Sequence, residues 1–138
     1  GKGVLEEKLK QLAVDLGVAE RVIFTGFRTD VRDLLWMSDC FAFPSKREGL
    51  GIAALEGMSA GLPVIGHDIG GIRDFVVDGQ TGWLCKIEED YKDSINECIG
   101  IIWNGGSRNC LHKICLQKAI GFDLQKTDLI MKDVYKKL

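Results

Sequence analysis

Residues 40–71 read CFAFPSKREGLGIAALEGMSAGLPVIGHDIGG, and this stretch decides the fold. The apolar run Cys40–Phe43 reads as a short strand that ends against Pro44. A glycine-flanked loop carrying Glu48 follows. The segment Gly51–Ala60 is rich in small residues and reads as a helix that can lie close to a sheet or a ligand, with Glu56 inside it. Gly61 and Pro63 stop that helix, Pro63–Gly66 reads as the next strand, and Gly70-Gly71 closes a second loop. Strand, loop, helix, strand and loop, with carboxylates and glycine pairs at the loop ends, form half of an α/β ligand site.

The flanks extend the same alternation. Upstream, Val4, Leu5, Leu9, Leu12, Ala13 and Leu16 recur at helical spacing. They predict a helix from Leu5 to Leu16 with one face on a sheet and Gly17 at its C′ position. Val22–Phe24 reads as a short buried strand. Thr29 or Asp30 would cap a helix from Val31 to Ser38, with Val31, Leu34, Leu35 and Trp36 turned inward. Downstream, Ile72–Val77 reads as a short helix, Asp78-Gly79 as a turn and Gly82–Cys85 as a last strand. Beyond Glu88 the pattern is helical. Ile95, Ile99 and Ile102 share a face, Gly105-Gly106 interrupts, Cys110, Ile114 and Leu116 lead to Gly121, and Leu129–Leu138 closes the chain as a helix. Short strands alternating with helices predict an α/β fold with a parallel sheet and short crossovers.

Composition narrows the classes of function. A chain of 138 residues with 46% hydrophobic and 28% charged residues suits one globular domain. A formal charge of -2 lacks the footprint of a nucleic-acid binder. The five cysteines, at 40, 85, 98, 110 and 115, have neither disulfide nor metal spacing and predict a reducing, cytosolic setting. No apolar run reaches the length of a membrane span. The opening Gly1-Lys2-Gly3 leads into a helix with no strand before it, so a fragment of a longer protein is expected.

The chemistry points to a ligand with a diphosphate and diols. Glu48 and Glu56 are eight residues apart, one in the loop and one inside the helix, on the order of 8 Å apart along the helix direction. A carboxylate accepts at both oxygens and so suits the paired hydroxyls of a ribose or hexose. Gly49 and Gly51 let the backbone N–H groups of residues 49–52 approach an anion at a helix start. Gly70-Gly71 offers a second nest. Each feature alone has a plainer reading. Glu48 could be a solvated loop carboxylate, Glu56 the helix's wet edge, Gly70-Gly71 a turn, and Lys46 and Arg47 exposed loop cations. His67 beside Asp68 reads better as a packing histidine than as a dyad. His112 reads as helix surface with nothing around it. Trp83 and Trp103 read as core or interdomain contacts rather than sugar platforms.

Taken together, the run P44-S-K-R-E48-G-L-G-I-A-A-L-E56-G-M-S-A-G-L-P-V-I-G66, with G70-G-I-R-D74 and D78-G-Q-T-G-W-L84, resembles the C-terminal, donor-binding domain of family 4 retaining glycosyltransferases of the GT-B fold, the "group 1" type. R21-V-I-F-T-G26-F, S38-D39-C-F-A-F-P44-S and the closing F122-D-L…V134-Y-K-K-L fit the same pattern, which is weakest between Glu88 and Gly121. The resemblance implies a Rossmann-like three-layer domain over residues 1–121, short of its first strands, and a C-terminal helix over 122–138. It implies transfer of a hexosyl unit from a UDP-, GDP- or ADP-sugar to an acceptor hydroxyl with retention, in polysaccharide or glycolipid synthesis, with no cofactor and no metal. Glu48, the catalytic-site carboxylate of the pattern, would meet donor-sugar hydroxyls and Glu56 the ribose diol. The backbone at Gly49, Leu50, Gly51 and Ile52 would hold diphosphate and sugar oxygens, and Phe27 and Arg28 would lie along the base. Two positions depart from the pattern: Leu50 replaces Phe, and Asp74 replaces Glu. The acceptor domain and the Arg–Lys pair that clamps donor phosphates are expected upstream, so this chain alone should be inactive and bind donor weakly. A homodimer through an exposed sheet edge is expected, and peripheral membrane association only of the full-length protein. The alternatives are a non-catalytic nucleotide-binding or scaffolding module and another GT-B enzyme such as a sugar-nucleotide epimerase.

Overall fold

The computed structural model describes residues 3–88, 91–103 and 108–122, and the chain divides into two compact units, Gly1–Val31 and Arg32–Leu138. The predicted helix at 129–138 and the glycine break at 105–106 lie outside the described residues.

The first unit holds one α-helix, Glu6–Asp15 (α1), and a 3-10 turn, Ala19–Arg21. Gly17 ends α1 as predicted. Its φ is 67°, its N–H donates to Val14 O and the Val18 N–H donates to Ala13 O, both at 2.9 Å, which satisfies two orphan carbonyls of the last turn. Lys10 Nζ lies 2.9 Å from both Glu6 Oε1 and Glu7 Oε1 on the polar side. The expected apolar face is not buried. Of its residues only Ala13 is, while Leu5, Leu9, Leu12 and Leu16 stay exposed. Nor is Val22–Phe24 a strand: it pairs with nothing among the described residues, and Ile23 is 84% exposed. A β-branched run makes a strand only when a neighbour completes its ladder, and the described residues of this unit contain no strand to do so.

The second unit is the α/β body. Val31–Trp36 (α2) leads into Phe41–Phe43 (β1), Ile52–Ser59 (α3), Val64–His67 (β2), Gly70–Arg73 (α4), Gly82–Cys85 (β3), Lys92–Trp103 (α5) and Arg108–Ile120 (α6). The three strands are parallel in the order β1-β2-β3, with Phe43 opposite Gly66 and His67 opposite Cys85. The central strand β2 is buried along its whole length, as an apolar run in a covered parallel sheet must be. Ala54, Met58, Val64, Ile65, Ile72, Phe75, Cys98 and Cys115 form its fully buried core.

Several predicted faces shift. On α2 only Leu35 is buried, and Trp36 instead lies outside with the Arg32 guanidinium 4.4 Å from its ring centroid. On α6 the inward stripe is Leu111, Cys115 and Ala119, whereas Cys110 and Ile114 are exposed. That stripe advances by four residues at a time, the spacing of one helix face. Helix α4 is begun by the glycine pair, where the N–H groups of Ile72 and Arg73 both donate to Ile69 O at 3.1 Å, and it ends at Arg73, short of Val77. Trp83 is core, but Trp103 is 78% exposed. His112 is not isolated: its ring packs against the backbone at Gly61, where a Cβ would sit 2.0 Å from the imidazole.

Candidate functional site

Because the strands are parallel, their carboxyl ends at Phe43, His67 and Cys85 share one edge of the sheet. The loops leaving them carry the predicted site, at the position where open α/β sheets bind ligands.

The loop after β1 is held by its own side chains. The Ser45 hydroxyl lies 2.7 Å from Glu48 Oε1 and 3.2 Å from Arg47 O. Its single proton goes to the nearer, charged acceptor. One carboxylate oxygen of Glu48 is thereby held while the side chain remains exposed. The signal for Ser45 in the sequence is the S-x-x-E spacing, which lets a hydroxyl reach a carboxylate three residues on.

Helix α3 then starts on Gly51, whose φ of 70° and ψ of 46° place it in the left-handed region. The helix's ladder begins with Ala54 and Leu55, which both donate to Gly51 O at 2.9 and 3.0 Å. The N–H groups of Gly51, Ile52 and Ala53 therefore precede that ladder. The cap residue supplies no side-chain hydrogen bond and the first turn carries no acidic side chain. The positive end of the helix is thus uncompensated by its own residues, which favours an anion. Glu56 is the fifth residue of α3, one turn in, and is exposed.

The two glycine loops are one structure. A Cβ on Gly71 would lie 2.2 Å from Gly49 O, 2.7 Å from Gly49 C and 2.9 Å from Leu50 Cα, so the α4 backbone abuts the Glu48 loop directly. Ile72, fully buried, closes the contact from beneath, its Cδ1 2.6 Å from the place a Gly51 Cβ would take. Along the chain Gly70-Gly71 reads as a separate nest. The structure gives Gly71 the task of close approach, while a Cβ on Gly70 would meet nothing within 4 Å.

The other candidates take definite places, each within its own unit. His67 is buried at the end of β2, its ring 5.1 Å from that of Tyr91 at an interplanar angle of 60°. Asp68 makes no dyad with it and instead takes the Arg73 guanidinium, with Nη2 to Oδ2 at 3.0 Å and a second bond from Nε to Oδ1. That guanidinium holds the Asp68 carboxyl below its ordinary range. Phe27 and Arg28 belong to the first unit, where Phe27 is 76% exposed and Arg28 Nε donates to Asp30 Oδ1 at 2.7 Å. Among the described residues no group of three or more His, Cys, Asp or Glu side chains could hold a metal. No helix among them is long and apolar enough to cross a membrane.

The arrangement offers a carboxylate fixed by a hydroxyl, a set of N–H groups ahead of the helix ladder, and a second carboxylate one turn on. It can grip hydroxyls at two points and an anion between them.

Known proteins resemble this chain in sequence and fold. The profile of the family described as "Glycosyl transferases group 1" matches residues 1–107. The chain is 33% identical over 140 residues to the UDP-Gal:alpha-D-GlcNAc-diphosphoundecaprenol alpha-1,3-galactosyltransferase of Escherichia coli, covering 98% of this chain and 35% of that protein. It is 40% identical over 77 residues to the N-acetyl-alpha-D-glucosaminyl L-malate synthase of Bacillus anthracis, covering 56% of this chain and 20% of that one. The crystal structure of Anabaena HepE in complex with UDP superposes with a TM-score of 0.84 at 26% identity, over 96% of this chain and 36% of that chain. The chain thus spans between 20% and 36% of the length of these proteins. Its three-stranded parallel sheet is part of the GT-B fold. With the profile covering most of its length, the chain belongs to the group 1 glycosyltransferases.

Proposed function

We propose that this chain is the donor-binding part of a retaining glycosyltransferase, which moves a hexosyl unit from a nucleoside diphosphate sugar to an acceptor hydroxyl. The observation that carries this reading is the junction at Gly71 and Gly49. It places an uncompensated helix start beside the hydroxyl-braced Glu48 and one turn from Glu56. The UDP held by HepE, similar to this chain at 26% identity, supports a nucleotide ligand here as well.

In this reading Glu56 accepts from the ribose diol, and Glu48 accepts from donor-sugar hydroxyls with the oxygen that Ser45 leaves open. The backbone at Gly49, Leu50, Gly51 and Ile52 takes diphosphate and sugar oxygens. The bond from the anomeric carbon to the diphosphate oxygen breaks, the acceptor oxygen takes its place on the same face of the sugar, and the acceptor's hydroxyl proton passes to the departing diphosphate. The chain's part is to stabilise the charge that builds on the departing diphosphate and to hold the sugar in place. Remaining donor contacts and the acceptor groove belong to the rest of the protein. The cytosolic setting inferred from the free cysteines is the compartment where nucleotide sugars and thiols coexist.

The test is a calorimetric or NMR titration of this chain with UDP, GDP and ADP and their glucose conjugates, with E56A alongside. Saturable binding of one nucleotide, weakened about tenfold or more in E56A, is the expected result. Wild-type affinity in E56A would remove Glu56 from the ribose. The anomeric configuration of the full-length enzyme's product tests retention.

A further inference from the structure

We propose that Tyr91 and His67 form a positioning pair that sets the Glu48 loop and the Gly70-Gly71 turn in register at the carboxyl edge of the sheet. Tyr91 stands at the start of α5, where its carbonyl accepts from the Ile95 N–H at 2.8 Å. Its hydroxyl donates to Phe43 O, the last carbonyl of β1, at 3.4 Å. Its ring meets the edge of His67, the last residue of β2. One side chain thus touches the ends of both strands from which the two loops depart.

The path of the chain beyond each strand end gives this contact its consequence. Past Phe43, a short loop leads to Arg47 and the braced Glu48. Past His67 the chain turns at once: Ile69 N–H donates to His67 O at 2.8 Å, and Asp68 N–H donates to Cys85 O at 2.8 Å. Ile69 then caps α4, and Gly71 comes to rest on Gly49. The two loops meet backbone to backbone with no side chain between them to absorb a shift, so their spacing is inherited from the strand ends. Burial raises the Tyr91 phenol to about 12, so it remains a neutral donor across the whole working range.

His67 meets Tyr91 through its ring. It is only 3% exposed, yet its Nδ1 has no hydrogen-bond partner among the described residues. That nitrogen therefore anchors nothing, and what His67 brings to the contact is its ring. Its retained feature is a flat ring against the face or edge of Tyr91, which aromatic pairs favour at this separation.

The proposal rests on the donor-site reading for one of its two readouts. The first readout is the amide shifts of Gly49, Gly51 and Gly71 in the nucleotide-free chain. The second is the affinity for UDP, the nucleotide bound by HepE. Tyr91→Phe keeps the ring and removes the bond to Phe43. It should move all three glycine amides and weaken UDP by about twofold to threefold, the low end for one hydrogen bond, because this one is long. His67→Ala should do the same, and His67→Phe should restore both. A change in melting temperature with the three amides in place would overturn the proposal, as would His67→Phe behaving like His67→Ala. So would moved amides with unchanged UDP affinity. If the wild-type chain binds no UDP, GDP or ADP, the donor-site reading fails for this chain, and the amide shifts alone decide the positioning role.

Discussion

Gly71→Ala is the sharpest perturbation this structure offers, because its neighbour supplies the control. Both residues sit in α4, and neither has a positive φ. Replacing a helical glycine by alanine normally gains about 1 kcal/mol. At Gly71 the new Cβ would lie 2.2 Å from Gly49 O. An ordinary carbon–oxygen approach needs about 3.3 Å, so the two backbones must part by about 1 Å. All three of the nearest atoms are backbone, and no flexible side chain can yield. Overpacking of this kind costs about 1–3 kcal/mol, and here it falls at the upper end and outweighs the helical gain. The net loss should be about 2 kcal/mol, a fall in Tm of about 6–10 °C for a chain of this size. The Gly49 and Leu50 amide resonances should shift, and nucleotide affinity should drop with them. Gly70→Ala, whose Cβ meets nothing within 4 Å, should be neutral or stabilising by up to about 1 kcal/mol. The pair is read by thermal denaturation and by NMR. If Gly71→Ala melts with the wild type and leaves Gly49 and Leu50 unmoved, the idea that the two loops form one rigid site is wrong.

Other consequences can be checked on the same protein. Ser45→Ala should weaken nucleotide-sugar binding while changing stability by no more than about 0.5 kcal/mol, since Ser45 and Glu48 are at the surface; calorimetry on both quantities decides it. Tyr91 has a folded pKa of about 12 against an ordinary value of 10.0, so its contribution to stability is complete below pH 10 and is lost as pH rises towards 12. Alkaline denaturation should be correspondingly shallower in Y91F. Among the thiols, burial raises Cys115 to about 12, whereas the hydrogen bond from Cys98 lowers Cys40 and raises Cys98. Native alkylation followed by mass spectrometry should therefore mark exposed Cys110 and half-buried Cys40 first, and Cys98 and Cys115 only on unfolding.

The elements of the candidate site were largely legible because they are local. Glu48, Gly49, Gly51 and Glu56 fall within nine residues, and the loop-to-helix switch that presents them follows from glycine, small residues and a terminating Gly61 and Pro63. Strands β1, β2 and β3 were readable within a residue or two, since a covered parallel strand is an uninterrupted apolar run. The reading failed where burial depends on what lies opposite. Leu9 and Leu12 show the same periodicity as Ala13, but periodicity marks a face and does not supply its cover. Val22–Phe24 has strand composition and no ladder partner among the described residues. His112 looks solitary along the chain and lies on Gly61, 51 residues away.

By itself, then, the sequence determined the alternation of strands and helices, the loop that bears Glu48 and the helix start at Gly51. Each of these depends on backbone preferences and side chains a few residues apart. Only the tertiary structure decided that Gly71 rests on Gly49, that Tyr91 reaches Phe43 and His67, and that Asp68 chooses Arg73 over its neighbour. Those contacts are made between elements brought together by the pairing of β1, β2 and β3. Sheet pairing is settled by the burial of the whole core, a quantity that no short stretch of sequence contains.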